Sequence, residues 1–221
     1  MTSEIRNQNN PIYDELNTND IDYEEIHNQT QQQYLIEDFV AKHLQDNMIE
    51  LENKSVICTF NTKYCSNTNY SLYEIMSQEQ TNIVVCQTKN NEFFGIYLSE
   101  PISNMGVTTV DPNNFIFTFD NTYTHFNKFD SRIITDCFTI PNQWNLLLMA
   151  TKAFAVDTSL RCYFTNKMNE IYMKNWNGFD EIRKEFPMVN DKGYVELERV
   201  MVFSPVQTTI CEESMEWSEC L

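Results

Sequence analysis

The most reactive side chains of this chain are its seven cysteines, at positions 58, 65, 86, 137, 162, 211 and 220, and its histidines, His27, His43 and His125. A cysteine becomes a nucleophile or peroxide sensor when a helix N-terminus or a neighbouring cation lowers its pKa. Cys211 and Cys220 stand in "CEESMEWSEC", among glutamates that oppose the thiolate. Cys162, next to Arg161, has the better local charge and is the candidate redox thiol, although its place in "LRCYF" favours a core thiol. No C-x-x-C pair, zinc spacing, nucleophile elbow or phosphate loop occurs, so no metal and no cofactor is expected. His125 has Asp120 and Asp130 near it in sequence, but a triad also needs a remote serine or cysteine, and a solvated loop histidine is the commoner case. "NTNDIDYEE" (17–25) lacks the sixth-position glycine of a calcium loop and reads as a solvated acidic run. Tyr13-Asp-Glu-Leu and Tyr23-Glu-Glu-Ile repeat one pattern that suits phosphorylatable docking peptides, with biased composition as the plainer explanation.

Four segments follow from composition and periodicity. Residues 1–30 are polar and acidic, with Arg6 their one base, and read as a disordered tail. Residues 31–54 hold Ile36, Val40, Leu44 and Met48 at a spacing of four, the pattern of an amphipathic helix. From 55 to 205 the phrases "SVICTF", "NIVVCQT", "EFFGIYL", "NFIFTFD", "WNLLLMA", "AFAVD", "LRCYF" and "YVELERVMVFS" read as strands, while "NYSLYEIM" and "FDEIRKEFP" read as short helices. Thr88-Lys-Asn-Asn91 suits a hairpin loop between two of the strands. Residues 206–221 read as an acidic C-terminal tail. The expected fold is mainly β with peripheral helices (α+β): a two-sheet antiparallel β-sandwich preceded by one amphipathic helix. Gly95, inside "EFFGIYL", then raises a question, since a strand glycine marks either a bulge or a close approach by another element.

The formal net charge is −17, unevenly placed. Lys152, Arg161, Lys167, Lys174, Arg183, Lys184, Lys192 and Arg199 match the acids of their own region, so the remainder carries the whole excess. Such a field opposes nucleic acid and anionic membrane, and favours a basic partner surface. The start "MTSEIRNQNN" lacks the pattern of a signal peptide, and no apolar run is long enough to span a membrane. A cytoplasmic protein without membrane insertion is expected, with the nucleus open to it.

In order along the chain, these phrases resemble the TLDc domain, the family of oxidation-resistance proteins. "TNIVVCQTKNNEFFGIYLSEPI" is similar to the family's hairpin, with Phe94-Gly95 and Ser99-Glu-Pro101 in the corresponding places. "DPNNFIFTF" with Phe115 and Phe117 resembles the strand that follows, and "NYSLYEIM" with Ser71 the earlier helix start. "SLRCYFTN" matches through Ser159, Cys162, Phe164 and Asn166, and "VMVFS" resembles the closing strand. The resemblance covers about residues 55 to 205. The family's glycine-rich strand corresponds to the glycine-free "NLLLMATKAFAVD", and the glutamate of its closing strand falls on Met201, which removes carboxylate chemistry there.

The resemblance implies a non-catalytic interaction module in oxidative-stress protection or regulation, with subunits of the vacuolar proton-pumping ATPase as candidate partners. Two alternatives stand beside it. One is a stress-responsive regulator touching nucleic acid through Lys152–Arg199, where Tyr163, Tyr172 and Trp176 are available for stacking. The other is a thiol-dependent antioxidant enzyme using Cys162.

Overall fold

The computed structural model describes residues 36–119, 122, 125–131, 136–172 and 179–207. The two acidic tails, with Tyr13 and Tyr23, and residues 31–35 of the expected helix lie outside them. Within the described residues helix α1 runs from 36 to 47, and a 3-10 turn at Ile49–Leu51 follows. The expected helix to residue 54 is therefore too long at its C-terminal end. Asn53 takes a left-handed φ of 62° and Lys54 already belongs to the first strand. Val40, Leu44, Met48 and Leu51 are 0–2% exposed, so the apolar stripe read from the sequence is the buried face.

The strands are β1 (Lys54–Asn61), β2 (Asn82–Thr88), β3 (Phe93–Leu98), β4 (Thr109–Val110), β5 (Phe115–Phe119), β6 (Phe126–Asp130), β7 (Asp136–Thr139), β8 (Leu146–Ala150), β9 (Phe154–Asp157), β10 (Arg161–Phe164) and β11 (Tyr194–Gln207). Helix α2 (Asn69–Met76) follows β1, and α3 (Phe179–Glu185) precedes β11. All pairings between the described strands are antiparallel. They form two sheets that share β11. One has the order β1-β11-β2-β3-β5-β6, the other β4-β7-β8-β9-β10-β11. The long strand makes this possible: Tyr194–Glu196 pair with β10, and the residues from Leu197 onward pair with β2 on one side and β1 on the other. Gln207 still pairs with Lys54, so the expected tail at 206 begins two residues too early.

Strand alternation sorts the first sheet's side chains onto two faces. Val84, Cys86, Phe94, Ile96 and Ile116 pack against the second sheet's Phe138, Leu148, Val156 and Phe164. The ring of Phe94 meets Phe154 edge-on at 5.2 Å and Phe164 at 5.1 Å. Ile83, Val85, Phe93, Tyr97, Phe115, Phe117, Met201 and Phe203 point the other way, beneath α1. Every residue of β2, β3 and β5 is therefore buried. The architecture is a two-sheet sandwich with α1 on the outer face of one sheet.

Three short strands are absent from the expected set. β4 has two residues, β6 exposes most of its side chains at the sheet edge, and β7 is four residues ending in Cys137-Phe-Thr139. None shows enough alternation to be read without its neighbours.

Candidate functional site

The family hairpin lies at the centre of the first sheet. β2 and β3 pair without interruption from Asn82↔Leu98 to Gln87↔Phe93, and the Asn91 N–H closes the turn on the Thr88 carbonyl at 3.1 Å. Gly95 sits opposite Val85 and Phe117 with no register shift. A Cβ there would lie 2.0 Å from the Val84 carbonyl oxygen and 2.7 Å from Phe117 Cζ. The close-approach explanation holds, and no bulge is present. Phe94, Phe115 and Phe117 are at most 1% exposed.

Beyond β3, Ser99-Glu-Pro101 is fastened by Asp111, which is wholly buried. The Ser99 N–H donates to its Oδ2 at 2.5 Å, the Ser99 hydroxyl to Oδ1 at 2.7 Å, and the Asn113 N–H to Oδ1 at 2.9 Å. Sequence reasoning passed over Asp111, although Asp-Pro-Asn-Asn is a turn signature in which the carboxylate takes backbone N–H groups two residues on. Asp111→Ala leaves these part-buried donors without their carboxylate and is expected to cost about 1–3 kcal/mol, measured by urea unfolding. Asp111→Asn keeps the size but loses an acceptor and should fall between the two. Equal midpoints for all three proteins would refute the clamp.

The remaining motif positions also serve the framework. Thr68 Oγ1 accepts from the Ser71 N–H at 3.1 Å and so caps α2. The Ser159 N–H donates to Asp157 Oδ1 at 2.9 Å in the β9–β10 turn, where Leu160 takes a φ of 59°. Phe164 packs in the core, and Asn166 lies in the turn after β10.

Cys162, the candidate redox thiol, is fully buried between the sheets. Arg161 does not help it: alternation sends the guanidinium outward, and its Nε meets Asp157 Oδ2 at 3.0 Å. Burial, with Asp157 adding, pushes the Cys162 thiol well up from its ordinary value. Cys162 therefore sits as a core thiol, the reading that its place in "LRCYF" favoured. Burial likewise raises Cys86, and it pushes Cys137 up to about 12. Cys58 rises to about 12 through burial and the Glu37 carboxylate. Cys58 and Cys65 line a hollow of about 120 Å³ with Glu37 and Tyr64.

These shifts have a defined sign. Cys58 and Cys137 move from 9.0 to about 12 on folding, so above pH 9 the unfolded chain holds fewer protons than the folded one. Their contribution is complete below pH 9 and is lost as the pH rises toward 12. Each such thiol adds a slope of up to about 1.4 kcal/mol per pH unit. Urea midpoints should fall steadily from pH 9 to pH 10.5, and Cys137→Ala should flatten the fall while lowering the starting value. A level midpoint over that range would contradict the assignment.

The larger described hollow, of about 210 Å³, lies between the β5–β6 edge and the chain around α3. Glu92, Phe119, His125, Lys184 and Met188 are among its lining residues, and among the described residues no serine or cysteine lines it. Burial raises the Glu92 carboxyl, which accepts from Thr88 Oγ1 at 3.4 Å. His125 is exposed at its edge, and Asp130 is not part of the lining. His43 packs its ring 4.6 Å from Phe119 under α1. Among the described residues no group of three or more His, Cys, Asp or Glu is placed to hold a metal, and no helix is long and apolar enough to cross a membrane.

Three described bases of the Lys152–Arg199 region are held in ion pairs, while Lys174 and Trp176 lie outside the described residues. Lys152 pairs with Glu170 at 2.7 Å, Arg161 with Asp157, and Arg183 with both Asp180 and Asp191. Arg199 is 5% exposed. Tyr172 is fully buried, so it is not available for stacking on bases.

The site is thus an antiparallel sandwich whose motif residues brace a central hairpin. The TLDc domain family model matches residues 23–149, more than half of the chain, and the protein belongs to that family. The match begins well before residue 55, the start read from the sequence, and it includes α1. It ends before β9, although β11 lies between β1 and β2 and completes the same sheet. No curated protein matched the chain.

Proposed function

We propose that this TLDc protein is a non-catalytic interaction module of oxidative-stress protection, working in the cytoplasm by docking on a larger assembly, with the vacuolar proton-pumping ATPase as its first candidate. The observation that carries this reading is the fate of the family's motif residues. Phe94, Gly95, Phe115, Phe117, Cys162 and Phe164 are spent on the interior. Together with the raised thiols, this favours protection through contacts over direct reaction with peroxide. Ion pairing across Lys152–Arg199 weighs against the nucleic-acid alternative.

The test is affinity capture with the full chain as bait, from cells with and without peroxide, at two salt concentrations. Recovery of proton-pump subunits supports the reading. Nucleic-acid-associated proteins lost at the higher salt would replace it with the regulatory alternative, and a cysteine oxidised by peroxide much faster than free cysteine would replace it with thiol chemistry.

A further inference from the structure

Trp144 is 85% exposed, the most exposed large apolar side chain among the described residues. It stands in the β7–β8 turn, "PNQWN", and that turn is held on two sides. Asn69, at the start of α2, is 9% exposed and gives its amide hydrogens to the carbonyls of Pro141 at 2.5 Å and Gln143 at 3.1 Å. The Gly106 N–H donates to the Ile140 carbonyl at 2.8 Å, and the Asn142 side chain fills the space a Cβ on Gly106 would need. Tyr73 ties α2 to the same neighbouring segment, its hydroxyl donating to the Ser103 carbonyl at 3.2 Å. Three segments are thus fastened side by side, and each presents one large apolar residue to solvent: Tyr70 at 60%, Val107 at 50% and Trp144 at 85% exposed. An aromatic carried on a turn whose backbone is already held loses less backbone entropy on binding, and Trp and Tyr are enriched among the anchors of protein interfaces.

The surrounding charge specifies the occupant. Residues 64–88, 90–127 and 133–151, which include all three segments, contain no lysine or arginine, while Glu74, Glu100 and Asp136 are exposed. The chain's own termini are acidic, a second copy would bring the same acids, and an anionic membrane would be repelled. A lysine or arginine fits instead, since the face of an indole attracts a cation and nearby carboxylates strengthen the attraction. We propose that the surface formed by the start of α2, the Ser103–Val107 segment and the Trp144 turn docks a cationic segment of a partner protein, with Trp144 and Tyr70 as anchors. This deepens the interaction-module reading and rests on it.

The probe is a fluorescent peptide of alternating lysine and leucine, with a glutamate-for-lysine peptide beside it, titrated against the full chain at moderate salt. Trp144→Ala is expected to weaken the lysine peptide about tenfold or more, and Tyr70→Ala several-fold. Both side chains are exposed, so thermal unfolding should be unchanged. Tyr163→Ala, an exposed aromatic on β10, should bind as the unaltered chain does. Equal binding by all variants, or equal binding of the glutamate peptide, overturns the proposal. So does a Trp144-dependent dimer in sedimentation, or Trp144-dependent binding to phosphatidylserine vesicles. Capture from cells separates the two readings: pump subunits recovered equally by Trp144→Ala and the unaltered chain remove this surface and leave the module, whereas Trp144-dependent peptide binding without pump subunits leaves the surface and removes that partner.

Discussion

A chain that begins at Lys54 is expected to lose its cooperative unfolding transition, even though every strand of the sandwich remains. Helix α1 and the turn after it bury Val40, Leu44, Met48 and Leu51 at 0–2% exposure. At about 1.5–3 kcal/mol for each fully buried side chain, these four supply roughly 6–12 kcal/mol of apolar burial, as much as the whole stability of a typical domain. The loss is larger still on the other side of the contact. Phe93, Tyr97, Phe115, Phe117, Met201 and Phe203 would face water together, and so large an apolar patch drives aggregation. The comparison protein begins at Ile36, so that any difference belongs to the helix. Insolubility or strong binding of a hydrophobic dye by the shorter chain is the expected result, whereas a matching urea midpoint would show that the helix is only an accessory. Leu44→Ala gives the graded version, with an expected loss of about 2–4 kcal/mol.

The sequence displayed the helix's apolar stripe but not what the stripe covers. Spacing of four at Val40, Leu44 and Met48 implies a buried face, and the sandwich's outer surface is defined only after β2, β3 and β5 have come together. Those three strands were legible because burial on both faces leaves almost no polar interruption: "NIVVCQT" and "NYSLYEIM" match β2 and α2 residue for residue. β6 was not, since its Asn127, Lys128 and Asp130 face solvent at an edge, where charge is what keeps a strand from pairing further. Cys162 shows the limit of neighbour-by-neighbour reading. Arg161 is adjacent in sequence but on the opposite face of β10, and in a strand adjacent side chains do not share an environment. Trp144 was read as the first residue of the strand "WNLLLMA", but β8 begins at Leu146, and the hydrogen bonds of Asn69 fix the Trp144 turn at the surface.

Gly95→Val is expected to be the most damaging single substitution in the first sheet, with a loss above about 3 kcal/mol and no folded protein at moderate urea; Gly95→Ala should cost about 2–3 kcal/mol. Conformational freedom is not the reason. Among the described residues the positive-φ glycines are Gly106 and Gly193, while Lys152 and Leu160 occupy positive φ without being glycine. Gly95 is required by space: the added Cβ would meet the Val84 carbonyl oxygen at 2.0 Å and the Phe117 ring at 2.7 Å. The two obstacles differ in kind. The ring is the end of a side chain that can turn aside, whereas the carbonyl belongs to the β2 backbone and moves only with the β2–β3 ladder. Phe117→Leu removes the first obstacle and leaves the second. Adding it to Gly95→Ala should therefore recover only a minor part of the loss, after its own cavity cost is subtracted in a double-mutant cycle. Full recovery would assign the glycine to the aromatic ring alone, and a Gly95→Ala midpoint within about 0.5 kcal/mol of the unaltered protein would show that the ladder yields freely. Partial recovery fixes the cause in the backbone, where β2 and β3 approach too closely for any side chain at this position.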